Sequence, residues 1–214
     1  MTAREAILAR VRSAVAGETP LAPAAPTYRR TGDMARAEME ARFIDRLRDY
    51  HVHVSPVQAA DEIAAVVGAR LATLSIGQVV IPSGLPDAWR PLGVGMVEEA
   101  GLSNLALNGV ASALTACALA IAETGTVVLD ASPGQGRRAV TLLPDHHICV
   151  VFAHQLVETA PQALQKLAAA AKAGRPITFF SGPSATADIE FDRVVGVHGP
   201  RRLDVVFVGG AQLP

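Results

Sequence analysis

The chain has 214 residues, half of them apolar and 18% charged, with a formal net charge of -1 at neutral pH. That length and apolar content suffice for one sizeable buried core, and the balanced charge offers no basic surface for nucleic acid or for an anionic membrane. The longest apolar run, residues 116–122, falls far short of the roughly 20 residues that span a bilayer, and the N-terminus lacks the apolar stretch of a secretory signal, so the sequence predicts a soluble cytoplasmic protein with no membrane span.

Residues 2–16 read as an amphipathic helix with Ile7, Leu8, Val11 and Val15 at helical spacing. Three prolines in residues 17–26 then forbid helix or central strand and mark a linker. Residues 1–30 are therefore expected to form an appendage, and residues 31–214 the main domain. A charged helix follows at 33–50 with Phe43, Ile44 and Leu47 as its seam. Short apolar strands are expected at 51–55, 79–82, 94–97, 126–129, 147–152, 177–180 and 203–208, with helices at 56–74, 110–122 and 161–173. The alternation predicts an α/β fold with a mostly parallel sheet and helices on both faces. Ligands of such folds gather at the carboxyl ends of the strands. Cys117 and Cys149 lie in apolar runs without Cys-x-x-Cys spacing and read as core residues, neither metal ligands nor disulfide partners.

The densest polar stretch is residues 122–137. The Ala- and Leu-rich run 110–122 reads as a buried helix delivering Glu123 and Thr124 to the strand 126–129, with Gly125 reversing the chain. Glu123 is the candidate general base or carboxylate nucleophile, oriented by Thr124 and Thr126. The turn Gly134-Gln135-Gly136 with Arg137 is a candidate anion cradle, because small residues let backbone N–H groups converge; a tight turn whose glycines serve geometry alone is the competing reading. A second cluster, Gly182, Pro183, Ser184, Thr186, Asp188 and Glu190, follows the strand 177–180. Its hydroxyls and acids suit an anion or carboxylate site, or else the capped start of a helix. His198 in a glycine-rich turn is a further candidate base, although a lone histidine is more often structural. Adjacent His146 and His147 would point to opposite faces of a strand, so no zinc site is expected.

Taken together, Ala-Glu-Thr-Gly-Thr at 122–126, Ser-Pro-Gly-Gln-Gly-Arg at 132–137, Leu-Leu-Pro-Asp-His-His-Ile-Cys-Val-Val at 142–151, Gly-Pro-Ser-Ala-Thr-Ala-Asp-Ile-Glu at 182–190 and Gly-Val-His-Gly-Pro at 196–200 resemble the lactate-utilisation (LUD) domain. The resemblance is closest to the lactate-utilisation protein C family and covers roughly residues 30–210. It implies a fold similar to the ribose-5-phosphate isomerase, glucosamine-phosphate deaminase and CoA-transferase group. It also implies a component of a system that oxidises L-lactate to pyruvate with iron–sulfur partner proteins. Many relatives resemble Gly-Pro-Ser-Arg-Thr where this chain has Ala185, so any anion held there needs another cation, such as Arg137 or Arg193. No nucleotide fingerprint or cluster-ligand set is present, and no cofactor is predicted. Three roles follow: an accessory subunit binding a small carboxylate or phosphate, a stand-alone enzyme using Glu123 with His198, or a scaffold docking through residues 1–16.

Overall fold

The computed structural model describes residues 2–17, 27–187, 193–195 and 199–209. In chain order it contains α1 (Ala3–Val15), α2 (Arg36–Asp49), β1 (His53–Val57), α3 (Ile63–Thr73), β2 (Gln78–Ile81), β3 (Gly95–Glu98), α4 (Asn104–Asn108), β4 (Ser112–Thr115), β5 (Leu119–Ile121), β6 (Thr126–Leu129), β7 (His146–Phe152), β8 (Leu156–Val157), α5 (Ala160–Lys172), β9 (Thr178–Phe180), β10 (Ala185–Ala187), β11 (Arg193–Val195) and β12 (Arg202–Val208).

Six strands form an all-parallel sheet in the order β1-β12-β7-β4-β2-β3. One face, carrying Val79, Ile81, Leu114, Ile148, Val150 and Val206, packs on Ile63, Val67 and Leu71 of α3. On the opposite face Cys149, Val151, Val205 and Phe207 meet Phe43, Ile44 and Leu47 of α2, together with Ala120, Val127 and Leu129. Those last three residues belong to a second sheet, β8-β5-β6-β9, in which β6 runs antiparallel to both β5 and β9. Its outer face, Leu119, Ile121 and Val128, is covered by Ala163 and Leu167 of α5. The resulting layers are helix, parallel sheet, helix with second sheet, and helix.

The largest departure from the sequence reading is residues 110–122, where the expected buried helix is instead the strand pair β4 and β5. All of Ser112, Ala113, Leu114 and Thr115 are buried, because β4 lies inside the parallel sheet between two packed layers. A strand buried on both faces shows a continuous apolar run, which periodicity cannot separate from a buried helix. The second sheet was also not foreseen, since the strands at 126–129 and 177–180 were assigned to a single sheet. The expected helix at 56–74 yields its start to β1, which reaches Val57. Pro56 is tolerated there because β1 is an edge strand, paired only with β12.

α1 is capped by Thr2, whose hydroxyl accepts from the Glu5 amide, yet none of its residues is buried and Ile7, Val11 and Val15 stay exposed. Of the linker expected at 17–26, residues 18–26 lie outside the described residues.

Gly125 turns the β5–β6 hairpin at φ +60° against α2, and a Cβ there would stand 2.6 Å from Arg46 Cβ and 2.9 Å from the Arg46 carbonyl carbon. Gly125→Ala combines a left-handed backbone with overpacking and should lower stability by about 2–4 kcal/mol. A fall in the urea midpoint at unchanged m value checks this.

Candidate functional site

The connection leaving β2 goes outward to the edge strand β3, whereas that leaving β4 goes the other way to β7. The order reverses between β2 and β4, and a crevice opens outside their carboxyl ends. The loop after β6 is seated in that crevice. The Gly134 N–H donates to the Ser83 carbonyl at 2.9 Å, and the Ala116 N–H donates to the Gly134 carbonyl at 2.8 Å. Gly134 has φ +80°, and Ala131, at φ 55°, holds a left-handed conformation that is costly for a residue with a Cβ. The loop is locked from inside: Gln135 Oε1 accepts from the Asp130 amide at 2.6 Å, and Arg175 pairs with Asp130 at 2.8 Å. Arg137 is drawn onto α4, donating to Asn104 Oδ1 and to the Leu102 carbonyl. A cavity of about 470 Å³ remains here, bordered by Ser83, Gly84, Glu99, Ser132, Gly136 and Arg137.

A second cavity, of about 230 Å³, lies on the other side of the same loop, under β9 and beside the amino ends of β7 and β12. Arg138, Thr141, Thr178 and Ser184 supply polar groups, Leu142, Phe179, Phe180 and Leu203 an apolar wall, and His147 a buried ring. Arg138 has no ion pair among the described residues. Burial, reinforced by neighbouring His146 and opposed by Asp204, pushes His147 from the ordinary 6.5 down to about 3, so the ring is neutral. Thr115 Oγ1 lies 2.8 Å from His147 Nε2 and 3.7 Å from Cys149 Sγ. In the tautomer that carries the proton on Nε2, His147 donates to Thr115 and Nδ1 is the ring's acceptor. The Ser184 amide donates to the Pro200 carbonyl at 2.8 Å and fixes the polar rim.

The sequence-predicted residues separate into three places. Gly182 and Ser184 border the smaller cavity, and Gly136 and Arg137 the larger, with Gly134 and Gln135 holding the loop between them. Gly182 serves close approach, since a Cβ would lie 2.8 Å from Tyr50 Cβ. Glu123, Thr124, Gly125 and Thr126 belong to neither cavity. Glu123 sits in the β5–β6 turn, half-exposed, with Oε1 3.0 Å from Arg29. Arg29 also pairs at 2.6 Å with buried Glu158, which accepts from the Met34 amide. The amide of Met34 and then the Arg29 guanidinium hold the Glu158 carboxyl below its ordinary value despite burial. Glu123 thus ties the β5–β6 turn to the segment preceding α2. Thr124 and Thr126 share a hydroxyl chain with Ser181, 2.6 and 2.8 Å long. The helix start expected near Ser184 is the β10–β11 hairpin, so neither Ser184 nor Thr186 caps a helix. Asp188, Glu190 and His198 lie outside the described residues.

Comparison with known proteins agrees with this architecture. The LUD domain profile matches residues 98–208. "Lactate utilization protein C" of Deinococcus radiodurans is 42% identical over 207 residues, 95% of this chain and 94% of that one. The chain belongs to the LUD family. "Lactate utilization protein C" of Bacillus subtilis is 39% identical over 99 residues, 44% of this LUD protein and 41% of that one. The crystal structure of a DUF162 family protein from Deinococcus radiodurans superposes with a TM-score of 0.72 at 40% identity, covering 83% of this chain and 100% of that one.

Sequence reasoning passed over the most polar part of this LUD core. Arg70 of α3 donates to Asp204 at 2.5 Å, Asp204 meets His146 Nε2 at 2.9 Å, and His146 Nδ1 meets the Ser112 hydroxyl at 3.0 Å. Burial raises the Asp204 carboxyl, but the bonds from His146 and Arg70 outweigh it and hold the group below its ordinary value. Ser112, His146 and Asp204 carry the residue types of a nucleophilic triad, yet all three are buried and border neither cavity, so the set is structural. The only sequence signal was a polar residue inside each of three apolar runs.

His147 in the unfolded chain takes a proton at its ordinary 6.5, which the folded protein refuses until about 3. Stability is therefore complete above 6.5 and falls with decreasing pH, by up to about 1.4 kcal/mol per unit. Asp204 adds a loss of the same sign below 3.8. Thermal melts between pH 7 and 4 should show the decline, and His147→Asn should flatten it.

Proposed function

We propose that this protein is the ligand-binding component of a lactate-utilising system, holding a 2-hydroxy acid in the smaller cavity. The observation that carries this reading is an Arg138 guanidinium with no ion pair among the described residues, bordering the same cavity as a neutral imidazole. A guanidinium fork suits a carboxylate, and the acceptor Nδ1 of His147 suits a hydroxyl proton. About 230 Å³ is room for roughly seven waters at about 30 Å³ each, ample for a three-carbon acid. The names of the relatives from Deinococcus radiodurans and Bacillus subtilis favour lactate as that acid.

The low basicity of His147 suits holding the hydroxyl more than removing its proton. Oxidising lactate to pyruvate releases two electrons and two protons, and in this reading the electrons pass to iron–sulfur partner proteins. The two cysteines of this chain fall short of the four thiolates that a common cluster takes. A stand-alone enzyme built on Glu123 is not favoured, because its carboxylate is engaged by Arg29 away from both cavities.

Calorimetry should show L-lactate binding about tenfold more tightly than pyruvate, whose keto oxygen would face the lone pair of His147. Arg138→Ala should weaken L-lactate binding at least tenfold. Equal affinities for the two acids, or an indifferent Arg138→Ala, would remove this assignment. Deleting the gene should abolish growth on L-lactate, and unimpaired growth would remove the protein from lactate utilisation.

A further inference from the structure

The larger cavity holds an acid and a base that do not neutralise each other. Glu99, at the carboxyl end of β3, and Arg137 both border it, yet they form no ion pair: the guanidinium gives one N–H to Asn104 Oδ1 and one to the Leu102 carbonyl, which leaves three of its five donors. Glu99 is held rigidly: its amide donates to the Ile81 carbonyl at 3.0 Å, and its carbonyl accepts from the Leu102 amide at 3.1 Å. Its Oε2 is buried with no hydrogen-bond donor, pressed beneath Gly136, where a Cβ would stand 2.9 Å away. A carboxylate with one oxygen sealed and unsatisfied gains from a donor that reaches the other.

The remaining rim is rich in donors. The backbone N–H groups of Ser83, Gly84, Gly136 and Arg137 make no hydrogen bond within the described residues, and the Ser83 hydroxyl joins them. Successive free amides in a glycine-rich turn beside a guanidinium favour an anion with several acceptor oxygens. The position, outside the carboxyl ends of β2 and β4 where the strand order reverses, is where open α/β sheets take their ligands.

We propose that this cavity binds a phosphorylated polyol of the nucleoside diphosphate class, with phosphate on the amides and Arg137 and a vicinal diol on Glu99. The site is separate from the hydroxy-acid cavity, and the residue that defines its selectivity is Glu99. The one oxygen of Glu99 left open to the cavity has two lone pairs and can accept from both hydroxyls of a diol, so loss of the diol or of the phosphate each removes one half of the recognition.

The test is calorimetric titration of the full chain with ADP, adenosine and 2′,3′-dideoxy-ADP. ADP should bind at one site, and the other two at least tenfold more weakly. Glu99→Ala should erase the preference for ADP over its dideoxy analogue, and Arg137→Ala the preference for ADP over adenosine. Should either variant melt early, amide shifts of Gly84 and Gly136 on adding ADP to the unaltered protein give an independent readout. ADP should still bind in the presence of saturating L-lactate. Equal binding of ADP and the dideoxy analogue, displacement of ADP by L-lactate, or no shift at Gly84 and Gly136 would overturn the proposal.

Discussion

Two hydrogen bonds hold this architecture to its purpose: the Gly134 amide on the Ser83 carbonyl and the Ala116 amide on the Gly134 carbonyl. They stitch a loop from the second sheet into the gap between β2 and β4 of the first, so two sheets that share only an apolar seam acquire a polar one. The larger cavity borders this loop, and the smaller one begins at the residue after it. Its outward side carries Arg137 over the crevice, and the residue that follows, Arg138, borders the space beneath β9. A Cβ at 134 would make only an ordinary contact with Ala116 Cβ at 3.4 Å, so it is the left-handed backbone at φ +80° that favours glycine there.

The second organising feature is a polar column through the middle of the parallel sheet, from Arg70 on α3 through Asp204 and His146 to Ser112. Buried charges are costly unless paired, and here each member has a partner on the next element. The column occupies the α3 side of β7, which leaves the adjacent His147 to face the second sheet, where it packs against Phe180 at 5.4 Å. The alternation of side chains along one strand therefore separates a structural histidine from one that borders a cavity. The Arg29 clamp on Glu158 and Glu123 does comparable work at the outer edge, fastening the stretch before α2 to the hairpin. A Cβ at Gly32 would overlap Glu158 Oε2, so any side chain there must push that carboxylate off Arg29 and Met34.

Much of the fold was legible. The strand over 126–129 coincides with β6, the amphipathic seam Phe43, Ile44, Leu47 is the buried face of α2, and the α/β alternation is real. What was not legible has a physical cause. β4 and β5 are made of Ala, Leu, Ile and small polar residues, whose helical preference is overridden by their place between packed layers. That misreading moved Glu123 from a hairpin turn to the exit of a helix and suggested a catalytic mount. Glu99 went unnoticed because it sits in no glycine-rich or hydroxyl-rich motif, and Arg138 because it lies one residue past the turn 132–137; what marks them out lies across the chain from them. The glycines of 134–136 were found for the right local reason, close backbone approach, although the partner they approach is visible only in three dimensions.

The strand order carries a consequence for the birth of the molecule. β1 touches no neighbour in its sheet except β12, and β12 is also the partner of β7, so the last of the described strands is the one that joins β1 to the rest. On the ribosome, β1 must wait until residues 202–208 have emerged, with its open edge uncovered meanwhile. Parallel pairing across so long a separation makes closure slow. Losing only β12 would split the sheet instead of trimming it.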